Sequence, residues 1–168
     1  MDFTVRDAQD AELDEVGELT AGAYAADGVL DLGGADPYLA VLRDARGRAE
    51  QVETLVAVPA TGHAQPLLGS VVFTGAEGAY AEISRPGEAE FRMLAVRPEG
   101  RGRGVGEALV RACAERARER GLRRLVLSSG RRMAAAHRLY GRLGFVRTPA
   151  LDWSPVPGVT LLTFALEL

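Results

Sequence analysis

The sequence predicts one α/β domain, residues 1–168, on a mixed sheet of about six to seven strands flanked by helices. Three observations predict it. Strand-sized apolar runs occur in hairpin order in the first half. A strand, a glycine-rich turn, a helix and another strand follow one another between Glu90 and Ser128. A chain of 168 residues can bury a sizeable core within a single domain.

The elements follow in chain order. Residues 3–6 read as a short strand. Asp7 then caps a helix running to about Ala25, in which Leu13, Val16, Leu19 and Ala23 keep helical spacing. Residues 26–37 are rich in Asp and Gly and read as a loop bordering a pocket, and Tyr38 to Leu42 begin a second short helix. Strands 52–58 and 67–74 are joined through Pro59, Gly62 and Pro66, so they pair as a hairpin. Residues 75–89 form a loose excursion before the strand 90–96. From Val105 a helix runs to about Arg120, with Val105, Leu109, Ala112, Cys113 and Ala117 towards one face and Gly121 as its stop. Its other face carries Glu107, Arg111 and Glu115 at i,i+4 spacing, the pattern of a solvated surface. A strand at 123–128, a helix at 133–142 ending at Gly144, and strands at 145–147 and 160–166 complete the chain. A Pro-rich loop, 148–158, carries Trp153 between the last two. No internal repeat is present.

Composition narrows the function classes. Apolar residues make up 47% and charged residues 26%, the balance of a soluble globular protein. No apolar run approaches the roughly 18 residues of a membrane span, and the N-terminus lacks the pattern of a signal peptide, so a cytoplasmic protein without membrane partners is expected. A net charge of -3 gives no overall attraction to nucleic acid. The arginines concentrated between Arg92 and Arg147 point instead to a local anionic ligand. Arginine without any lysine, with abundant Ala and Gly, suggests a GC-rich bacterial genome. Cys113 is the single cysteine and lies in a helical pattern without an activating partner, which favours a small buried residue over a nucleophile. His63, His137 and Cys113 have no ligand spacing, so no metal is expected.

The chemistry concentrates in Arg101-Gly102-Arg103-Gly104-Val105-Gly106. A glycine-rich turn leading into a helix brings free backbone N–H groups and the positive helix end together. Gly102, Gly104 and Gly106 let the backbone approach a phosphate, and Arg101 and Arg103 add charge-assisted hydrogen bonds, so a pyrophosphate suits the segment. On glycine content alone, a flexible turn with solvated arginines is the rival reading. A Walker loop is excluded because it requires a lysine. A dinucleotide fingerprint fits poorly, since Glu107 stands where its third glycine belongs and five residues separate Val96 from Gly102.

The run Leu94-Ala95-Val96-Arg97-Pro98-Glu99-Gly100-Arg101-Gly102-Arg103-Gly104-Val105-Gly106-Glu107-Ala108-Leu109 resembles the acetyl-CoA signature of GNAT acetyltransferases, whose core is Arg/Gln-x-x-Gly-x-Gly/Ala. The block from Ala136 to Phe145 is similar to the family's later helix. The resemblance implies a GNAT fold, splayed at the acetyl-CoA site, with acetyl-CoA as the acyl donor. It implies that the amides from Arg101 to Gly106, Val105 included, hold the pyrophosphate, and that the main chain at Leu94, Ala95 and Val96 pairs with the pantetheine arm. Tyr140 matches the tyrosine that protonates the departing thiolate. Many members carry Asn where this chain has Met133, and Ser128 and Ser129 are candidates to replace that contact.

Other side chains have two readings each. Tyr140 is either that acid or a core tyrosine, and the motif favours the first. By alternation Glu90 shares a strand face with Arg92, Leu94 and Val96, and is either the general base or a bystander carboxylate. His137 reads as an exposed helix histidine, and Trp153 and Tyr24 as core or pocket aromatics. Asp27, Asp31 and Asp36 could attract a cationic amine or simply keep a loop soluble. The expected activity is acetyl transfer to a primary amine of a small molecule or peptide by direct attack, with a homodimer left open. Two rivals stand beside it: an NADP-binding oxidoreductase gripping a 2′-phosphate through residues 128–132, and a non-catalytic acyl-CoA-binding regulatory domain.

Overall fold

The computed structural model describes residues 2–27, 37–60 and 66–168. The elements are β1 (Phe3–Asp7), α1 (Leu13–Asp27), α2 (Pro37–Arg43), α3 (Ala45–Arg48), β2 (Glu53–Pro59), β3 (Gly69–Gly75) and β4 (Glu88–Val96). They continue with α4 (Val105–Glu119), β5 (Arg124–Gly130), α5 (Ala134–Arg142), β6 (Val146–Arg147), β7 (Trp153–Val156) and β8 (Val159–Glu167). One sheet holds all eight strands in the order β1-β2-β3-β4-β5-β8-β6, with β7 paired to β8. β1 to β4 form an antiparallel meander, β4 and β5 run parallel, and β8 returns antiparallel to β5.

The alternating strands bury two faces. Phe73, Phe91, Leu109, Cys113, Leu125 and Tyr140 belong to the core beneath α4 and α5. Val16, Leu19, Val56 and Ala95 form a second cluster, and Ala21, Leu42, Val72 and Met93 a third, beneath α1 to α3.

Several boundaries differ from the expectation. Asp7 ends β1 and pairs with Arg116 rather than capping a helix. The cap is Gln9, whose amide N–H donates to Glu12, so a 3-10 turn precedes α1. α3 was not expected; Asp44 starts it by accepting from the Gly47 amide. β7 occupies the stretch read as a loop, with Trp153 opposite Leu161 and Val156 opposite Val159. Its one proline, Pro155, is tolerated because an outer strand does not need every N–H in a ladder. Asp31, Asp36 and His63 lie outside the described residues.

Two irregularities of β4 position the site. It pairs with β5 only at Glu88, Ala89 and Glu90, after which the two strands part. Ser128 to Gly130 keep their pairing with β8 on the other side. β4 also bulges: Ala95 faces Ser70 and Arg92 faces Val72, so Met93 and Leu94 together oppose Val71. Met93 takes a φ of 57°, uncommon for a residue other than glycine. The bulge shifts the alternation by one. Phe91, Leu94 and Val96 pack on the α4 side, while Met93 and Ala95 pack on the side of α1 to α3. The expectation that Glu90 shares a face with Leu94 and Val96 is therefore corrected, because strict alternation cannot be carried across an inserted residue.

Candidate active site

Where β4 and β5 part, a cavity of about 580 Å3 opens. β4 contributes Phe91 to Leu94, four consecutive residues, which only a bulged and splayed strand can present together. Ser128, Ser129 and Gly130 of β5 line the opposite side. Tyr140 reaches in from α5, and Tyr24 and Tyr38 from α1 and α2.

The turn after β4 ends at the first residue of α4. Gly102 and Gly104 have φ values of 74° and 81°, in the left-handed region that glycine adopts without strain. A Cβ at either would meet nothing within 4 Å, so the space above both is open. Gly104 is the helix N-cap and supplies no side-chain cap. The first-turn N–H groups thus have no intrahelical acceptor and face a positive helix end, the donor set a pyrophosphate needs. Gly106 differs: a Cβ there would make ordinary contact with Leu139 at 3.4 Å and Val96 at 3.6 Å, so packing alone does not require glycine. Arg103 is turned aside, pairing with Asp2 at 2.5 Å, and Arg101 is exposed.

Comparison with known proteins agrees with this geometry. The model of the acetyltransferase (GNAT) family matches residues 34–145. The chain belongs to the GNAT acetyltransferase family. A mycothiol acetyltransferase of Cellulomonas flavigena is 38% identical over 95 residues, covering 54% of this chain but only 27% of that protein. The match thus spans about a quarter of that relative. A GCN5-related N-acetyltransferase from Kribbella flavida is 26% identical, with a TM-score of 0.71 and 99% and 98% of the two chains covered. The YncA protein of Salmonella typhimurium, solved with acetyl-CoA, shares the fold at 21% identity, with a TM-score of 0.70 and coverage of 100% and 95%. Family membership does not favour the oxidoreductase reading drawn from residues 128–132.

Within this GNAT chain, Tyr140 is 3% exposed and packs against Phe91, Phe145 and Phe164 at centroid distances of 5.8, 5.8 and 5.5 Å. Burial pushes its phenol well above the ordinary value, so it stays protonated and able to donate at neutral pH. His137, read as exposed, is instead half-buried. Its Nε2 lies 3.1 Å from Ser129 Oγ and its ring 5.1 Å from Phe164, and desolvation lowers its pKa. The Ser129 hydroxyl also donates to the Met133 sulfur at 3.7 Å. Trp153 does not line the cavity but donates to Ser128 Oγ at 3.0 Å, holding β5 from behind. Tyr24 does line it.

Glu90 is fully buried and lies outside the cavity lining. Its Oε1 accepts from the amides of Glu82, Ile83 and Ser84 at 3.0, 3.1 and 3.0 Å, and from Ser84 Oγ at 2.9 Å. That grip fixes the β3–β4 connection, and among the described residues the carboxylate that lines the cavity is Glu82. Glu82 pairs with Arg92 at 2.9 Å, and Arg92 also donates to the Tyr80 carbonyl and the Tyr38 hydroxyl, both at 3.0 Å. Sequence reasoning missed Glu82 because residues 75–89 carry no periodicity.

Cys113 is completely buried in α4 and its thiol is pushed up to about 12 by desolvation, the opposite of an activated nucleophile. Among the described residues no cluster of His, Cys, Asp and Glu could hold a metal, and no helix is long and apolar enough to cross a membrane.

Proposed function

We propose that this protein moves the acetyl group of acetyl-CoA to a primary amine of a small molecule or peptide by direct attack on the thioester. The observation that carries the reading is the junction of two features. The uncapped N-terminus of α4 at Gly102 and Gly104 adjoins the strand that parts from β5 to open a cavity beside Tyr140.

The main-chain amides from Arg101 to Gly106 hold the pyrophosphate. Beyond Glu90, β4 has no strand partner on the β5 side, so the main chain of Leu94, Ala95 and Val96 receives the pantetheine arm as an added strand. Ser129 lines the same opening. Attack forms a C–N bond and breaks the C–S bond, and Tyr140 gives its proton to the departing sulfur. The acceptor's ammonium first gives one proton to a carboxylate or water, and the second proton leaves the nitrogen as the amide forms and restores the phenol of Tyr140. Glu90 takes part by holding residues 82–84 in place.

The experiment is an amine panel in which CoA thiol release from acetyl-CoA is followed, with NADPH oxidation measured in parallel. Thiol release that depends on amine, without nicotinamide turnover, supports the reading. Acetyl-CoA binding without release for any amine would reduce the chain to a binding domain.

A further inference from the structure

The acceptor half of the cavity has a composition of its own. Tyr24, Tyr38 and Val41 stand on the α1–α2 side, and Pro155, Val156 and Val159 on the β7–β8 side. These walls are apolar apart from the tyrosine hydroxyls, and that of Tyr38 accepts from Arg92. Val41 and Val156, at the rim, are 44% and 48% exposed. Apolar side chains left in water around one cavity mark a surface that an apolar occupant would cover.

Among the described lining residues, the charged groups are Glu82 and Arg92. All three guanidinium nitrogens of Arg92 are engaged, by Glu82, the Tyr80 carbonyl and Tyr38, and its side chain is 12% exposed. Three of its five donors are thus spent within the protein, and its low exposure leaves it poorly presented to a substrate carboxylate or phosphate. Glu82 differs. Its side chain is 23% exposed, Arg92 Nε meets its Oε1 at 2.9 Å, and a carboxylate accepts several hydrogen bonds. Its backbone is fixed by Glu90, so it presents a held anion to the cavity.

We infer that the acceptor is a primary monoamine on an apolar body, alkyl or arylalkyl, with its ammonium anchored at Glu82 and its hydrocarbon between the α1–α2 and β7–β8 walls. This rests on the acetyltransferase reading and names the substrate class for the same site. Among the described lining residues a single cation finds one anion, Glu82. A second charge or a hydroxyl-rich body finds no further charged partner among them and would lose water against Pro155 and Val156.

The test compares hexylamine with hexane-1,6-diamine, similar chains that differ in one terminal charge, by calorimetric binding to the full chain with CoA present and by thiol release from acetyl-CoA. We expect kcat/KM for hexylamine to exceed that for the diamine by about 30-fold or more. From propylamine to hexylamine, affinity should rise roughly threefold to fourfold per methylene. Glu82→Gln should weaken hexylamine binding about tenfold or more while acetyl-CoA affinity and the thermal unfolding midpoint stay unchanged. Val156→Asp should shrink the preference over the diamine. Selective hexylamine binding without thiol release would keep the acceptor inference and overturn the transfer reading. Equal or better use of the diamine, or failure of hexylamine to bind at millimolar concentration, overturns the inference.

Discussion

Glu90 and Leu94 stand four residues apart on β4 and face opposite sides of the sheet. The bulge at Met93 turns Leu94 towards α4, while Glu90 faces the connection that carries Glu82. Replacing Glu90 with Ala should therefore act first on stability. Three amide donors lose their acceptor, and urea unfolding should show a loss of about 2–4 kcal/mol. Glu90→Gln keeps one carbonyl oxygen for those donors and should be milder. Equal stability of the parent and the Ala variant would mean that the connection does not depend on this carboxylate.

Tyr140→Phe should lower kcat by about tenfold to a thousandfold with little change in acetyl-CoA affinity, because the lost hydroxyl acts on charge that develops as sulfur leaves. Its raised pKa keeps the phenol protonated throughout the neutral range, so no loss of activity near pH 8 should trace to it. Steady-state kinetics with an independent binding titration separate the two effects. A Phe variant turning over at the parent rate would leave Tyr140 as packing for Phe91 and Phe164.

Glu82 should give the pH–rate profile its acidic limb. Burial raises its pKa above the usual carboxylate value, only partly offset by Arg92, and Glu90 adds to the rise. Glu82 anchors an ammonium only when ionised, so activity should fall as pH drops through this raised value, at a higher pH than for an exposed glutamate. The limb should disappear in Glu82→Gln. A profile unchanged by that substitution would assign the limb to another group.

Asp152 sets a separate acid dependence, of stability. Arg147 above all, with help from the Thr163 amide and hydroxyl, holds its carboxyl far below the ordinary range. Because the folded pKa is depressed, the stabilisation is present above the unfolded value near 4 and is lost as pH falls towards the folded one. Discounted for solvent screening at this partly exposed pair, about 1–2 kcal/mol should be lost across that window. Thermal melts of Asp152→Asn should lack this acid-side decline.

The turn proposed to hold the cofactor was legible in the sequence because backbone conformation dictated its residues. Gly102 and Gly104 are glycines because their φ values are positive, and that requirement shows in one dimension. Tyr140 was legible through its place in a motif. The acceptor half was not, because it is assembled from α1, α2, an aperiodic connection and a Pro-rich edge strand, brought together only by the sheet. Glu90 shows the same limit at one position. The family resemblance suggested a base, but its partners come from residues 82–84 of an aperiodic connection whose course no spacing rule reveals.

Calorimetric titration of acetyl-CoA into the parent and into Gly104→Glu tests the pyrophosphate cradle most directly. A Cβ at Gly104 meets no neighbour, so the variant should remain folded, at a backbone cost of about 1–2 kcal/mol for a left-handed φ. Its carboxylate would nevertheless stand at the uncapped start of α4, where the pyrophosphate is to sit. Acetyl-CoA affinity should fall by about 100-fold or more, equivalent to roughly 2.7 kcal/mol. A folded Gly104→Glu protein that binds acetyl-CoA as tightly as the parent would contradict the assignment of this turn as the donor site.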